Sequence, residues 1–199
     1  MAETPLEREP QTRKRASALL DQVGVRGSAR LWPVALIAIL VLGAVLRFHG
    51  LGWDQPEGGE APLQMHPDER FLSLVTDRLD WPDGVGGYFD TANSPLNPYN
   101  DGQTNSYVYG TFPLFLVKGV ATIAGDGPEG PGNSYTHTVE WGRRVTAGFD
   151  TATILLTFLL ATTVFNRRVG LLAALLYALA VLPTQPAHFW AMDPYLTFF

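Results

Sequence analysis

The chain has 199 residues, 46% of them hydrophobic, a formal net charge of −5 and no cysteine. Disulfide frameworks, thiolate nucleophiles and zinc–thiolate sites are therefore excluded, and an acidic chain with no basic stripe gives no support to nucleic-acid binding. The mean hydropathy of +0.05 would suit a soluble protein. It conceals a partition: apolar residues gather into a few long runs and the charged ones lie between them, as in a chain that crosses a bilayer repeatedly.

Residues 1–30 are polar, with Arg13-Lys14-Arg15, Arg26 and Arg30 ahead of the first apolar run, and read as a cytoplasmic tail. Residues 31–48 carry one charge, Arg47, near the far end, where its long side chain could snorkel to the interface. This run is the first expected transmembrane helix. The tail is too long for a cleavable signal peptide, and no small-x-small site follows the run.

From 49 to 142 the chain turns rich in Gly, Pro, Asn and Asp. Its acids extend from Asp54 to Glu140 against only Arg70, Arg78 and Lys118, a balance that belongs on the extracytoplasmic side. Within this loop, 67–79 has Phe71, Leu72, Val75 and Leu79 at helical spacing behind Pro67, the pattern of a short amphipathic helix. Residues 81–103 are turn-rich. The stretch 107–124 approaches the length of a span but contains Gly110, Pro113, Lys118 and Gly119, so the expectation is a helix lying at the outer interface.

Residues 143–166 are the second expected span, apolar except for Asp150 beyond the opening arginines. Arg167-Arg168 then makes a basic turn into the third, 167–190. The arginine pair places this turn in the cytoplasm beside the tail, which holds only if 107–124 does not cross. The outer loop and the segment from His188 to Asp193 then share the outer face. Residues 191–199 begin a further helix, so the sequence reads as an amino-terminal fragment. The expected fold is all-α: a polytopic membrane helix bundle with an extracytoplasmic first loop carrying juxtamembrane helices, in a plasma membrane with the amino terminus inside.

Asp68 and Glu69, in His66-Pro67-Asp68-Glu69-Arg70, and Asp193 are the acids this topology brings to one face. Taken singly they are ordinary: carboxylates in a first turn are stabilised by the helix dipole, and Asp193 precedes Pro194 as a helix-start residue does. Their combination with 88–99 (Tyr-Phe-Asp-Thr-Ala-Asn-Ser-Pro-Leu-Asn-Pro-Tyr), with Tyr109-Gly110-Thr111-Phe112-Pro113-Leu114 and with Gly142-Arg143-Arg144 resembles the amino-terminal part of polytopic GT-C glycosyltransferases. It is similar to the protein O-mannosyltransferase and aminoarabinose transferase group.

The resemblance implies inverting transfer of a hexosyl or pentosyl unit from a polyprenyl-phosphate donor to a protein or glycan acceptor at the outer face. It places Asp68 as general base, Glu69 beside it and Asp193 as the second acidic position. A phosphate leaving group needs no proton, so one base and a cation for the phosphate suffice, and Arg143 is the expected cation. His66 and His188 are candidates for hydrogen bonding. In the aminoarabinose branch a lysine precedes the prolines of the interfacial helix; here Thr111-Phe112 stands at that place, and Lys118 follows about two turns on.

No cofactor is implied, since Asp68-Glu69 lacks the Asp-x-Asp form that some relatives use for a metal, although a divalent cation held by Asp68 and Asp193 stays open. The competing class is a multi-span transporter or assembly subunit, which would carry polar or broken helices at mid-membrane. A membrane-anchored glycoside hydrolase would need two carboxyls facing each other across a sugar, and only Asp68 with Asp193 could supply them.

Overall fold

The structure is a computed structural model that describes residues 31–56, 63, 65–104, 106–125 and 135–199. The tail of 1–30 and the Gly/Pro-rich 126–132 fall wholly or largely outside the described residues. Every regular element described is helical: α1 (Trp32–Phe48), α2 (Pro67–Arg78), α3 (Gly84–Phe89), α4 (Thr111–Ala124), α5 (Tyr135–Val164), α6 (Arg167–Leu179), α7 (Val181–Thr184), a 3₁₀ turn (Pro186–His188) and α8 (Asp193–Phe198).

The long helix α5 is the axis of the molecule. At 1.5 Å per residue its 30 residues extend about 45 Å, and two apolar clusters are strung along it. The first unites α2, α4 and the segment before α8 through Leu72, Val75, Leu114, Val117, Trp190 and Tyr195. The second joins α1, α5 and α6 through Ile39, Ile154, Phe158, Ala174 and Ala178. In α1 the buried residues are Ile39, Gly43 and Arg47, four apart and so on one face. A β-carbon on Gly43 would collide with the Ile154 side chain, so glycine is what lets α1 lie against α5. Small residues at such crossings are the usual means of close helix approach in lipid.

The α5–α6 connection is tight. Asn166 caps α6, its side chain accepting from the backbone N–H groups of Arg168 and Val169 at 3.0 and 3.1 Å, which supplies two of the donors a helix start leaves open. Gly170 then sits against Phe158 and Thr162 of α5, and the two helices run back along each other.

Three expected features differ in extent or character. The helix expected over 143–166 begins eight residues earlier, because Thr138, Val139, Gly142 and Arg143 already form a buried stripe. The helix expected over 167–190 is broken. Ala180 is extended (φ −67°, ψ 127°), and the segment beyond it bends away from α6 by 53°. Pro183 accounts for the break, since it has no N–H and its ring crowds the carbonyl four residues back, that of Leu179. Finally, Arg47 does not snorkel. It is fully buried, paired with Asp150, and donates to the carbonyls of Ala178 (3.1 Å) and Tyr177 (3.4 Å) at the end of α6.

Among the described residues, α5 alone is long and apolar enough to cross a membrane; α6 with the bent segment after it makes a second only if the two count as one span. Helix α1 is apolar but has 17 residues, against about 20 needed to span. Apolar side chains stand exposed on all three: Val34, Ile37 and Val41 on α1, Leu159 and Leu160 on α5, Leu172 and Leu176 on α6.

Candidate functional site

Of the carboxylates singled out by sequence, Glu69 is held by a buried arginine in the amino-terminal part of α5, Arg143, and Asp68 and Asp193 lie on segments that this arginine joins. Arg143 has five N–H donors, and all five are engaged. Nε and Nη2 donate to the two carboxylate oxygens of Glu69, both at 2.7 Å. Nη1 and Nη2 donate to those of Asp54 at 2.6 and 2.9 Å, and Nη1 also donates to the Leu51 carbonyl at 2.6 Å. Glu69 Oε1 accepts in addition the backbone N–H of Trp190 at 2.9 Å. The indole of Trp190 rests on Gly142, where a β-carbon would come within 2.5 Å of the ring. One guanidinium thus joins the segment after α1, helix α2, helix α5 and the segment before α8.

This geometry revises the roles expected of two residues. Arg143 has no donor left for a phosphate, and Glu69 is fully buried in the same fork, so both hold the site together and do not face a substrate. Asp68 lies one residue before Glu69 and is partly exposed; Asp193 lies three residues after Trp190 and is exposed. The two acids open to solvent are therefore each attached to one arm of the Arg143 node.

Tyr109, just ahead of α4, lies close enough to feel the charge of both. Its ring is half-buried beside Phe71 and Tyr107, with ring centroids 6.1 and 6.0 Å away. Its proton affinity is raised, by burial first, then by the hydrogen bond to Asp68 and by the negative charges of Asp68 and Asp193. A phenol so held keeps its proton and donates it to Asp68. Sequence reasoning quoted Tyr109 within a motif but gave it no role, and it missed Asp54 and Trp190. Asp54 carried a weak signal as the first acid after an apolar helix; nothing marked Trp190.

The remaining candidates lie around this cluster. His66 precedes α2 with its ring 5.1 Å from that of Phe189, and its Nδ1 is buried with no hydrogen bond among the described residues. His188 is tied to backbone, with Nδ1 2.8 Å from the Thr184 carbonyl and Nε2 3.1 Å from that of His49. Lys118 is buried and its Nζ donates to the Thr76 carbonyl at 3.4 Å, capping the far end of α2. Burial lowers its proton affinity, opposed by Asp80 and Asp77. Eight residues of helix separate Thr76 from Asp68, about 12 Å along the axis, so Lys118 does not share the Asp68 site.

Two clefts lie in this region, one of them lined by Asp193. One, of about 500 Å³, has Asp193 on its rim and Tyr177, Leu182, Pro183 and Pro186 among its walls. The other, of about 320 Å³, is lined by Tyr109, Phe112, Pro113, Tyr195 and Phe199. Among the described residues no group of three or more His, Asp or Glu side chains converges as a metal site would require. Asp68 and Asp193 offer two carboxylates, short of the six to eight oxygen ligands of a calcium site unless water or substrate completes it.

No family model, curated protein or solved structure matches the chain.

Proposed function

We propose that this chain is of the polytopic membrane glycosyltransferase class, moving a sugar from a polyprenyl-phosphate carrier to an acceptor on the outer face. The observation that carries the reading is that Asp68 and Asp193, from segments 125 residues apart in sequence, are tied to one guanidinium through their neighbours Glu69 and Trp190, beside a cleft with apolar walls that Asp193 lines. In this reading Asp68 takes the proton of an acceptor hydroxyl while that oxygen attacks the anomeric carbon from the face opposite the phosphate. The bond to phosphate breaks and the configuration inverts. Tyr109 donates to one carboxylate oxygen of Asp68 and so turns the other toward the acceptor. Because Arg143 is committed to Glu69 and Asp54, it does not hold the departing phosphate, and no step is routed through a metal.

The membrane setting is part of the proposal. It is supported by the exposed apolar faces of α1, α5 and α6, by the small residues at their crossings, and by Arg167 and Arg168 at the α5–α6 turn, opposite in position to the acids. Because the chain has no cysteine, single replacements Arg168→Cys and Thr91→Cys are clean topology probes. An impermeant maleimide added to intact cells should label position 91 and not position 168, and the reverse pattern removes the proposal. For the chemistry, Asp68→Asn in the membrane-embedded protein should lower transfer from a polyprenyl-phosphate hexose by about 10²–10⁴-fold, the usual contribution of a general base, with insertion unchanged. Tyr109→Phe should give a smaller loss. Undiminished transfer by the Asn variant removes Asp68 from the reaction.

One observation favours the second reading, a transporter or assembly subunit: the buried Arg47–Asp150–Tyr177 cluster, with Tyr177 donating to Asp150 at 2.7 Å, sits where α6 breaks. Ionisable groups beside a broken helix are what ion-coupled carriers use. If Asp150→Asn abolishes function in folded protein while Asp68→Asn leaves it intact, the transporter reading replaces the transferase.

A further inference from the structure

The outer loop contains a third cleft that the proposed reaction does not use. It holds about 250 Å³ and lies between α3, the turns of 91–98 and the first turn of α4, with Tyr88, Phe89, Thr91, Asn97, Thr111 and Phe115 in its lining. We infer that this cleft is a binding subsite for one unit of a neutral carbohydrate, presented as the acceptor. The inference rests on the transferase reading.

Four observations carry it. The aromatic walls are open: Phe89 is 74% and Tyr88 50% exposed, and the two rings meet edge to face at 5.1 Å, leaving flat apolar faces for the C–H side of a pyranose. The hydroxyls of Tyr88, Thr91 and Thr111 make no hydrogen bond to other described residues, so they are available to sugar hydroxyls. No charged side chain lines the cleft, which gives no counter-charge to a phosphorylated, acidic or basic ligand. The volume lies just below the range of about 300–1,000 Å³ for drug-sized ligands, suiting one ring with the rest of a chain outside.

The cleft is also built to hold its shape. Asn100 donates to the carbonyls of Ala92 (3.1 Å) and Ser94 (2.9 Å), and Asn97 donates to that of Thr91 at 2.8 Å while accepting from the Tyr99 N–H at 3.1 Å. These ties fix the turns without using the lining hydroxyls, so ordering the loop costs little on binding. Its position fits an acceptor. Thr111 is two residues from Tyr109, at most about 7 Å of chain, and Tyr109 lies close enough to Asp68 to feel its charge. A sugar in the cleft would therefore approach the base from the loop side, and the two apolar clefts would stay free for the donor.

The test is saturation-transfer NMR on the full chain in lipid nanodiscs, with mannotetraose and maltotetraose as probes and an uncharged tetrapeptide as contrast. At least one tetrasaccharide should bind wild type and Asp68→Asn alike. It should bind the exposed double variant Tyr88→Ala/Phe89→Ala at least tenfold more weakly, and Thr111→Val, which keeps the shape, about threefold more weakly. The inference is overturned if neither tetrasaccharide binds wild type, if binding persists in the double variant, or if the tetrapeptide binds there in their place. Loss of the transferase reading would show separately, as undiminished transfer by Asp68→Asn with saccharide binding intact.

Discussion

Replacing Arg143 by lysine keeps the charge and removes the fork, which isolates what the geometry contributes. The guanidinium makes five hydrogen bonds to Glu69, Asp54 and Leu51, whereas an ammonium has three donors on a single atom. At least two bonds are lost. Hydrogen bonds involving charged groups contribute about 1.5–3 kcal/mol each, so Arg143→Lys should cost about 3–6 kcal/mol. That is a large share of the roughly 5–15 kcal/mol that holds a domain folded. Arg143→Met should be worse, since it strands two buried carboxylates, and breaking even one buried pair costs about 3–5 kcal/mol. Converting all three ions to apolar residues (Arg143→Met, Glu69→Met, Asp54→Leu) should recover much of that loss. It would still leave the Leu51 carbonyl and Trp190 N–H unpaired, at about 1–3 kcal/mol each. The assay is reversible denaturation in mild detergent followed by circular dichroism, with proteolysis of α2 as a local readout. If Arg143→Lys costs less than about 1 kcal/mol, the five-bond node does not hold these segments together and the account of the site fails.

Gly142→Ala should displace Trp190, since the added methyl would lie within 2.5 Å of the indole; a cost of about 1–3 kcal/mol and a shifted tryptophan emission are expected, and unchanged emission would contradict the packing. Arg47→Leu should destabilise by about 3–5 kcal/mol by leaving Asp150 buried and half-partnered, and adding Asp150→Leu should restore part of the loss in a thermal melt. Burial acts to raise the Asp101 carboxyl, but hydrogen bonds from the Thr104 hydroxyl, the backbone N–H groups of Thr104 and Gln103, and Arg78 prevail and hold it down at about 2, against an ordinary 3.8. A carboxyl depressed on folding contributes stability that is complete above its ordinary range and lost as pH falls through the folded value. Protection of the Gln103 and Thr104 amides, corrected for intrinsic exchange, should therefore decline between about pH 4 and pH 2, and Asp101→Asn should flatten that decline.

Much of the helical framework was legible because it rests on local signals. Pro67 ahead of Leu72, Val75 and Leu79 marks α2 by start residue and spacing alone, and Arg167-Arg168 marks the turn between α5 and α6. The break after Leu179 was signalled by Pro183 and outweighed by the continuous hydropathy of 167–190, in which a proline barely registers. Burial of charge was not legible. Arg47 and Arg143 both stand at the edges of apolar stretches, where a snorkelling or exposed arginine is the ordinary expectation. What distinguishes them is a carboxylate 103 residues away in one case and two carboxylates 74 and 89 residues away in the other. Tyr109 was hidden for the same reason: its importance comes from Asp68 and Asp193, which sequence places far from it.

That long-range pairing bears on how the site can fail. Glu69 holds Asp68 by one peptide unit and Trp190 holds Asp193 by three, and both are fixed through a single guanidinium on α5. The distance between the two open acids is then set by residues that never face a substrate. A change at Asp68 removes a reacting group and leaves this scaffold intact, whereas a change at Arg143 moves both acids while removing neither. The two kinds of variant should therefore part in their kinetics as well as their stability. Asp68→Asn should bind donor normally and fail to turn it over. Arg143→Lys, studied cold enough to stay folded, should lose affinity and turnover together, because Asp193, which lines one cleft, is placed through Trp190 and Glu69 by that guanidinium. Normal turnover in folded Arg143→Lys would mean that the open acids keep their spacing without the node, and Arg143 would then be a stability residue alone.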